Sequence, residues 1–146
     1  MKNEVSENIS KFILGGNADF CIVQERDKSG IGQCVDIKYR YSVKRGRCKG
    51  TFLVSAGEAR GQKLMYLGTL RKASNGSYTL REVDNLNDAY KMLANGLVWV
   101  LSRETCLPSR VHVVHNGKCG VCGRPLTDAE SVSRGIGPTC IKKIGI

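Results

Sequence analysis

Three cysteines near the end of the chain constrain its fold more than any other feature. Cys119 and Cys122 are separated by two residues, each is followed by glycine, and 17 residues separate Cys122 from Cys140. A tight Cys-x2-Cys-Gly turn points both sulfur atoms at one ion. Pro138 suits the first position of a helix, so Cys140 is predicted in a first helical turn, where the helix dipole favours a thiolate. The spacing predicts a metal site.

The fourth ligand of this site is less tightly determined by the sequence. We expect His115, which would complete a closed set of three thiolates and one imidazole around a structural zinc ion, one per chain. A regular hairpin at Asn116-Gly117 would place His115 and Cys119 on opposite faces, whereas a bulge at Gly117 would bring them together. His112, Cys106 and Cys21 are the alternatives. Buried free cysteines in a small satellite core are the competing interpretation.

The same segment resembles the C-terminal signature of a zinc-finger-bearing family of unknown function that is common in bacteriophages and mobile elements. The resemblance covers residues 112–140 specifically and the rest of the chain only as a pattern. It implies that His115, Cys119, Cys122 and Cys140 hold the metal and that the chain is an accessory protein of a phage or mobile element. It implies no established activity. The residues that carry it are His115-x3-Cys119-x2-Cys122-Gly123-Arg124-x-Leu126-Thr127 and Gly135-Ile136-Gly137-Pro138-x-Cys140.

The net charge of +10 is concentrated in one part of the chain. Residues 38–81 contain eleven Lys and Arg residues and one acidic residue, Glu58. Such a local excess is typical of a surface that binds phosphates, because each Lys or Arg contact releases condensed counterions. A solvated edge strand is the alternative, since lysines also protect sheet edges. The candidate nucleic-acid-binding residues are Lys38, Arg40, Lys44, Arg45, Arg47, Lys49, Lys63, Arg71 and Lys72.

Aromatic residues beside these cations could stack on bases, but most are better explained as core. Tyr39 and Tyr41 share a strand face with apolar residues, so we expect them to be buried. We predict the same for Tyr66 and Trp99. Tyr78, close to a turn, is the freest candidate for contact with a base.

The periodicity of apolar residues predicts an α+β protein. Its first unit, residues 1–105, is expected to be an antiparallel sheet of four to five strands with a helix packed on it and a basic surface. The second, residues 106–146, is expected to be a small treble-clef-like zinc-binding module. Asn85 or Asn87 should cap the long helix. The predicted elements are a short helix within 5–14, strands over 18–26, 35–44, 51–55, 63–70 and 78–81, and a helix over 86–103.

The sequence offers no convincing catalytic motif. Gly30-Ile31-Gly32 is too short for a dinucleotide-binding loop, and the His-x-Glu motif of zinc deaminases is absent. No role is assigned to Cys21, Cys34, Cys48 or Cys106. With no signal peptide and no run of about 18 apolar residues, we expect a cytoplasmic protein, in the host cell if phage-encoded, without a membrane partner.

Two functions therefore compete at this point. The leading hypothesis is a non-enzymatic nucleic-acid-binding accessory protein with a structural zinc finger. The alternative is a phage-encoded inhibitor that binds an acidic host defence protein through the same basic surface. The sequence does not separate them, because an acidic protein groove and a phosphate backbone both attract Lys and Arg.

Overall fold

The computed structural model describes residues 3–25, 37–60 and 63–144. Cys34, the Gly30-Ile31-Gly32 segment and the start of the strand predicted from residue 35 lie outside the described residues. The described chain contains strands and helices in mixed order. These elements are β1 (Asn3–Glu4), α1 (Ile9–Ile13), β2 (Asn17–Gln24), β3 (Ile37–Arg45), β4 (Thr51–Glu58), β5 (Met65–Lys72), β6 (Tyr78–Glu82), α2 (Asp88–Ser102), β7 (Val111–His115), α3 (Ala129–Arg134) and α4 (Pro138–Lys143).

The strands form one seven-stranded antiparallel sheet with the order β1-β7-β2-β3-β4-β5-β6. The predicted α+β class with an antiparallel sheet is confirmed, but the sheet has more strands than the four to five expected. β1 is only two residues long, too short to show a period of two. β7 lies in the segment predicted to be a separate cysteine module, and it pairs with β2. The sheet therefore continues across the predicted boundary between residues 105 and 106.

One face of the sheet carries the core. Phe20, Tyr41 and Ala56 are cross-strand partners on this face, and all are buried. α2 packs on this face, where the Tyr41 hydroxyl donates a hydrogen bond to the Leu93 carbonyl oxygen at 2.7 Å. α1 contributes Phe12, whose ring meets that of Phe20 edge-on at 5.8 Å between centroids. The prediction that Tyr41 belongs to the core is confirmed.

The long helix forms close to where its apolar stripe predicts. α2 buries Leu93, Leu97 and Val100 on one side. Of the two candidate caps, Asn87 is the one used: its side-chain oxygen accepts a hydrogen bond from the Tyr90 backbone N–H at 3.0 Å. α1 is shorter than the helix predicted within residues 5–14. In the described part of the chain, no helix has the length and apolar character needed to cross a membrane.

Two aromatic residues predicted to be core are instead partly exposed. Tyr66 is 43% exposed, since the pairing of β5 with β4 shifts register between Val54 and Ser55 and turns the ring away from the core. Trp99 is 36% exposed at the edge of the apolar stripe of α2, with the Arg103 guanidinium 5.4 Å from its ring centroid. Those two predictions were wrong.

Candidate metal centre and open sheet face

The structure brings three of the four predicted ligands together. The sulfur atoms of Cys119, Cys122 and Cys140 all lie within 4.8 Å of one another. Sulfur atoms that share one zinc ion in tetrahedral geometry are about 3.8 Å apart, given a Zn–S bond of about 2.3 Å. Small side-chain adjustments would therefore let one ion contact all three, and the donor set fits zinc. These three cysteines are defined as the cysteine cluster.

Backbone turns that the sequence encodes position the first two thiols. Cys119 and Cys122 lie on the tight turn after β7, where the Cys119 carbonyl accepts a hydrogen bond from the Gly123 N–H at 2.9 Å. Gly123 has a φ of 78°, which favours glycine. A bridge between Lys118 and Pro125 closes the turn. The Cys-x2-Cys-Gly pattern thus folds as a turn that presents both sulfur atoms to the same side.

The third thiol comes from a helix start, as predicted. Gly135 adopts a left-handed conformation, with a φ of 71°, and ends α3. Pro138 then opens α4, and Cys140 is its third residue. The sequence prediction for this part of the site is confirmed.

The thiols of the cluster differ in acidity. Burial raises the pKa of Cys119, but backbone N–H groups of Gly137, Cys122 and Val121 more than compensate, so this pKa is lowered overall. The N–H groups of Gly137 and Val121 donate to the sulfur at 3.3 and 3.4 Å. Burial, together with hydrogen bonds to the other two thiols, raises the pKa of Cys140 to about 11. The Cys119 thiolate is thus favoured relative to that of Cys140, and a bound cation would displace the thiol protons of the cluster.

His115 lies apart from the cysteine cluster. Its Nδ1 accepts a hydrogen bond from the Gly117 N–H at 2.9 Å, and its Nε2 donates to the Val132 carbonyl oxygen at 2.6 Å. Burial lowers its pKa, which favours the neutral ring that this pattern requires. Nδ1 is engaged because Asn116-Gly117 turns the backbone back onto the ring, and Nε2 is engaged because Val132 of α3 lies against it. The arrangement does not support His115 as the fourth ligand.

The other residues considered as a fourth ligand are also placed elsewhere. His112 lies between the carboxylates of Glu4 and Glu25, at 2.7 and 3.2 Å. Cys21 is buried on β2, where burial raises its pKa, and Cys106 is exposed in the connection between α2 and β7. Within residues 3–25, 37–60 and 63–144, the ligand group consists of the three cysteines.

The second candidate site is the sheet face opposite the core, over β3 to β6, which we define as the open face. Cross-strand partners share a face and neighbouring residues alternate, so the pairing register identifies its members. The helices lie on the other side: α1 contacts Phe20, α2 contacts Tyr41, and α3 contacts His115. Apart from Gly57, which has no side chain, the open face comprises Lys38, Arg40, Ser42, Lys44, Thr51, Leu53, Ser55, Tyr66, Thr69, Arg71, Thr79 and Arg81.

The open face is cationic and rich in hydroxyl groups. Its twelve residues include five Lys or Arg side chains and no carboxylate. The positive charge of Arg40 is partly balanced by Asp19 of β2, because the guanidinium forms two hydrogen bonds with this carboxylate, 2.9 and 2.7 Å long. The other four cations are exposed. Tyr66 and Leu53, 43% and 40% exposed, add apolar surface between them.

The predicted nucleic-acid-binding residues divide between several surfaces. Four of them, Lys38, Arg40, Lys44 and Arg71, lie on the open face. Arg45 and Lys72 lie on the other face, where their cross-strand partners are Phe52 and Tyr78. Arg47 and Lys49 lie in the turn between β3 and β4. Lys63 precedes β5.

The predicted set lacked one cation of the open face, Arg81, and its aromatic residue, Tyr66. Arg81 lies on β6 in the same row as Lys44, a position that the alternation of β6 could have indicated. Tyr66 was predicted to be core. Tyr78, the preferred aromatic candidate, instead has the Lys72 ammonium 5.6 Å from its ring centroid on the opposite face.

Comparison with known proteins identifies one similarity. No curated protein and no solved structure matches the chain. Residues 110–145, which span β7, the cysteine cluster, α3 and α4, match a family described as "Family of unknown function (DUF6011)". This C-terminal segment is therefore similar to that family.

Proposed function

We propose that the protein is a non-enzymatic nucleic-acid-binding protein that contacts phosphates through its open face, with a structural zinc ion held by the cysteine cluster. The observation that carries the proposal is the composition of the open face. Four exposed cations and five hydroxyl-bearing side chains that are not buried lie there without a carboxylate among them. Such a surface complements a polyanion in charge and in hydrogen bonding.

The distances between the cations favour a chain of phosphates as the ligand rather than a single small anion. Lys44 and Arg81 occupy one row three strand spacings apart, about 14 Å. Lys38 lies six residues from Lys44 along β3, about 20 Å away. A single phosphate would contact one or two of these side chains. A nucleic acid strand that crosses the sheet would contact all of them.

The zinc ion would act as a cross-link. It would join the turn after β7 to the start of α4 through Cys119, Cys122 and Cys140. β7 lies between β1 and β2, so the cross-link would also fix the end of the sheet. Three thiolates favour zinc over magnesium or calcium, which prefer oxygen ligands.

Salt dependence tests the nucleic-acid proposal. Binding of a fluorescently labelled oligonucleotide should weaken with added salt, with a log–log slope of about −3 for four cation–phosphate contacts. Fluorescence anisotropy at several salt concentrations measures this slope. A slope near zero, or no binding at low salt, would contradict the proposal. Equal affinity for poly-glutamate of the same length would also contradict it, in favour of an acidic protein partner.

A further inference from the structure

Tyr66 is placed on the open face by the backbone itself. Leu67 and Gly68 are consecutive and both buried, which breaks the alternation of β5 at the register shift. Gly68 has a φ of 150°, and a Cβ atom there would overlap the carbonyl oxygen of Arg81. Only glycine fits this position. The irregularity that turns Tyr66 outward is therefore built into β5.

The Tyr66 ring is held across the surface of the sheet. Its hydroxyl is hydrogen-bonded to Oγ1 of Thr69 at 3.2 Å, three residues further along β5. That bond directs the ring along the strand, and Tyr66 remains 43% exposed. Leu53, the cross-strand partner of Thr69, is 40% exposed beside it. Lys44 and Arg81 lie in the same row as Leu53 and Thr69. An apolar platform thus lies between two cations.

We infer that the open face binds single-stranded nucleic acid, with one base stacked on the ring of Tyr66. The inference rests on the proposed function and specifies its substrate. Bases in a duplex are stacked on one another and present only their edges in the grooves. Bases of a single strand can turn toward an aromatic platform while the adjacent phosphates meet cations. A ring lying on a sheet reaches the face of an unstacked base and has no equivalent contact with a duplex.

Oligonucleotide binding by matched variants tests this inference. Wild-type protein should bind a single-stranded oligothymidylate of about 15 nucleotides at least tenfold more tightly than a duplex of equal length. Tyr66→Ala should weaken single-strand binding about tenfold, and Tyr66→Phe, which keeps the ring, should weaken it less than about twofold. Tyr78→Ala is the matched control, because Tyr78 lies on the opposite face and should have no effect. Thermal unfolding verifies that each variant is folded.

The possible results separate the inference from the proposed function. Equal binding of duplex and single strand, with no loss for Tyr66→Ala and a salt slope near −3, would overturn the inference and leave the proposed function intact. Absence of binding to both oligonucleotides would overturn both. Loss of binding in Tyr66→Phe as well as in Tyr66→Ala would also count against stacking, since the ring is retained in the first variant.

Discussion

At the scale of single residues, His112 links three strands through its charge. It lies on β7 between Glu4 of β1 and Glu25 at the end of β2, and both ring nitrogens face carboxylate oxygens. The hydrogen bond with Glu4 is the main cause of its raised pKa; burial opposes this effect, and the charges of both carboxylates add to it. The folded protein therefore favours the imidazolium form.

The raised pKa predicts a pH-dependent stability. The contribution of His112 should be fully present below its unfolded pKa, about 6.5, and should be lost as pH rises through the higher folded value. His112→Asn should lower the unfolding free energy by about 1 kcal/mol at a pH near 6 and by less at a pH near 9. Denaturant unfolding at the two pH values measures the difference. A larger loss at the higher pH would contradict the assignment.

His115 makes a different prediction because its ring nitrogens bond backbone groups. His115→Gln should retain one zinc ion per chain and lower the unfolding free energy by about 1–3 kcal/mol, because a buried hydrogen bond is lost. Cys140→Ser should lose the ion. Elemental analysis together with denaturant unfolding measures both effects. A folded His115→Gln protein without zinc would show that the imidazole is a ligand after all.

The positions of these residues could be predicted from the sequence where their spacing along the chain determines the local backbone. The Cys-x2-Cys-Gly turn and the Gly-Pro helix start specify local backbone, so the three cysteines were predicted correctly as neighbours. The position of the His115 ring depends on the Gly117 turn and on α3, 17 residues away along the chain. Spacing alone carries no information about such a contact.

At the scale of elements, α1 is joined to the C-terminal segment by close packing around Phe12. Gly120 and Gly135 both lie against the Phe12 ring, and a Cβ atom at either would collide with it. The Gly120 N–H also donates to the Gly135 carbonyl at 2.8 Å. These contacts hold the cysteine cluster against the first helix.

A pair of glycine variants isolates this packing. Gly135 and Gly123 have φ values of 71° and 78°, so alanine should cost similar backbone strain at both. A Cβ atom at Gly123 meets nothing within 4 Å, whereas one at Gly135 overlaps Phe12. Gly135→Ala should therefore destabilise the fold by about 1–3 kcal/mol more than Gly123→Ala. Equal losses in thermal or denaturant unfolding would argue against a packed contact.

Some features of the sheet could not be predicted from the sequence, and each has a physical explanation. β1 has two residues and is held by pairing with β7, a contact distant in sequence. β7 was assigned to the cysteine module because the cluster follows it directly. The register shift that exposes Tyr66 depends on the fit of Gly68 against Arg81 of the next strand. α2, by contrast, has 15 residues and a clear apolar stripe, so its periodicity was sufficient.

At the scale of the whole molecule, the two faces of the sheet differ in their contacts and in their charge. The core face binds the helices, and through β7 it is continuous with the cysteine cluster. The open face carries cations without a helix across it among the contacts described. The net charge of +10 is thus distributed unequally, and the proposed interaction depends on position more than on total charge.

Two double variants with the same charge change test this central claim most directly. Lys44→Glu with Arg81→Glu reverses two cations of the open face, whereas Lys11→Glu with Lys91→Glu reverses two exposed cations on α1 and α2. At about 100 mM salt, the first pair should weaken oligonucleotide binding at least tenfold, and the second should change it less than about threefold. Equal loss in both pairs would show that net charge alone attracts the nucleic acid, and would contradict a binding site on the open face.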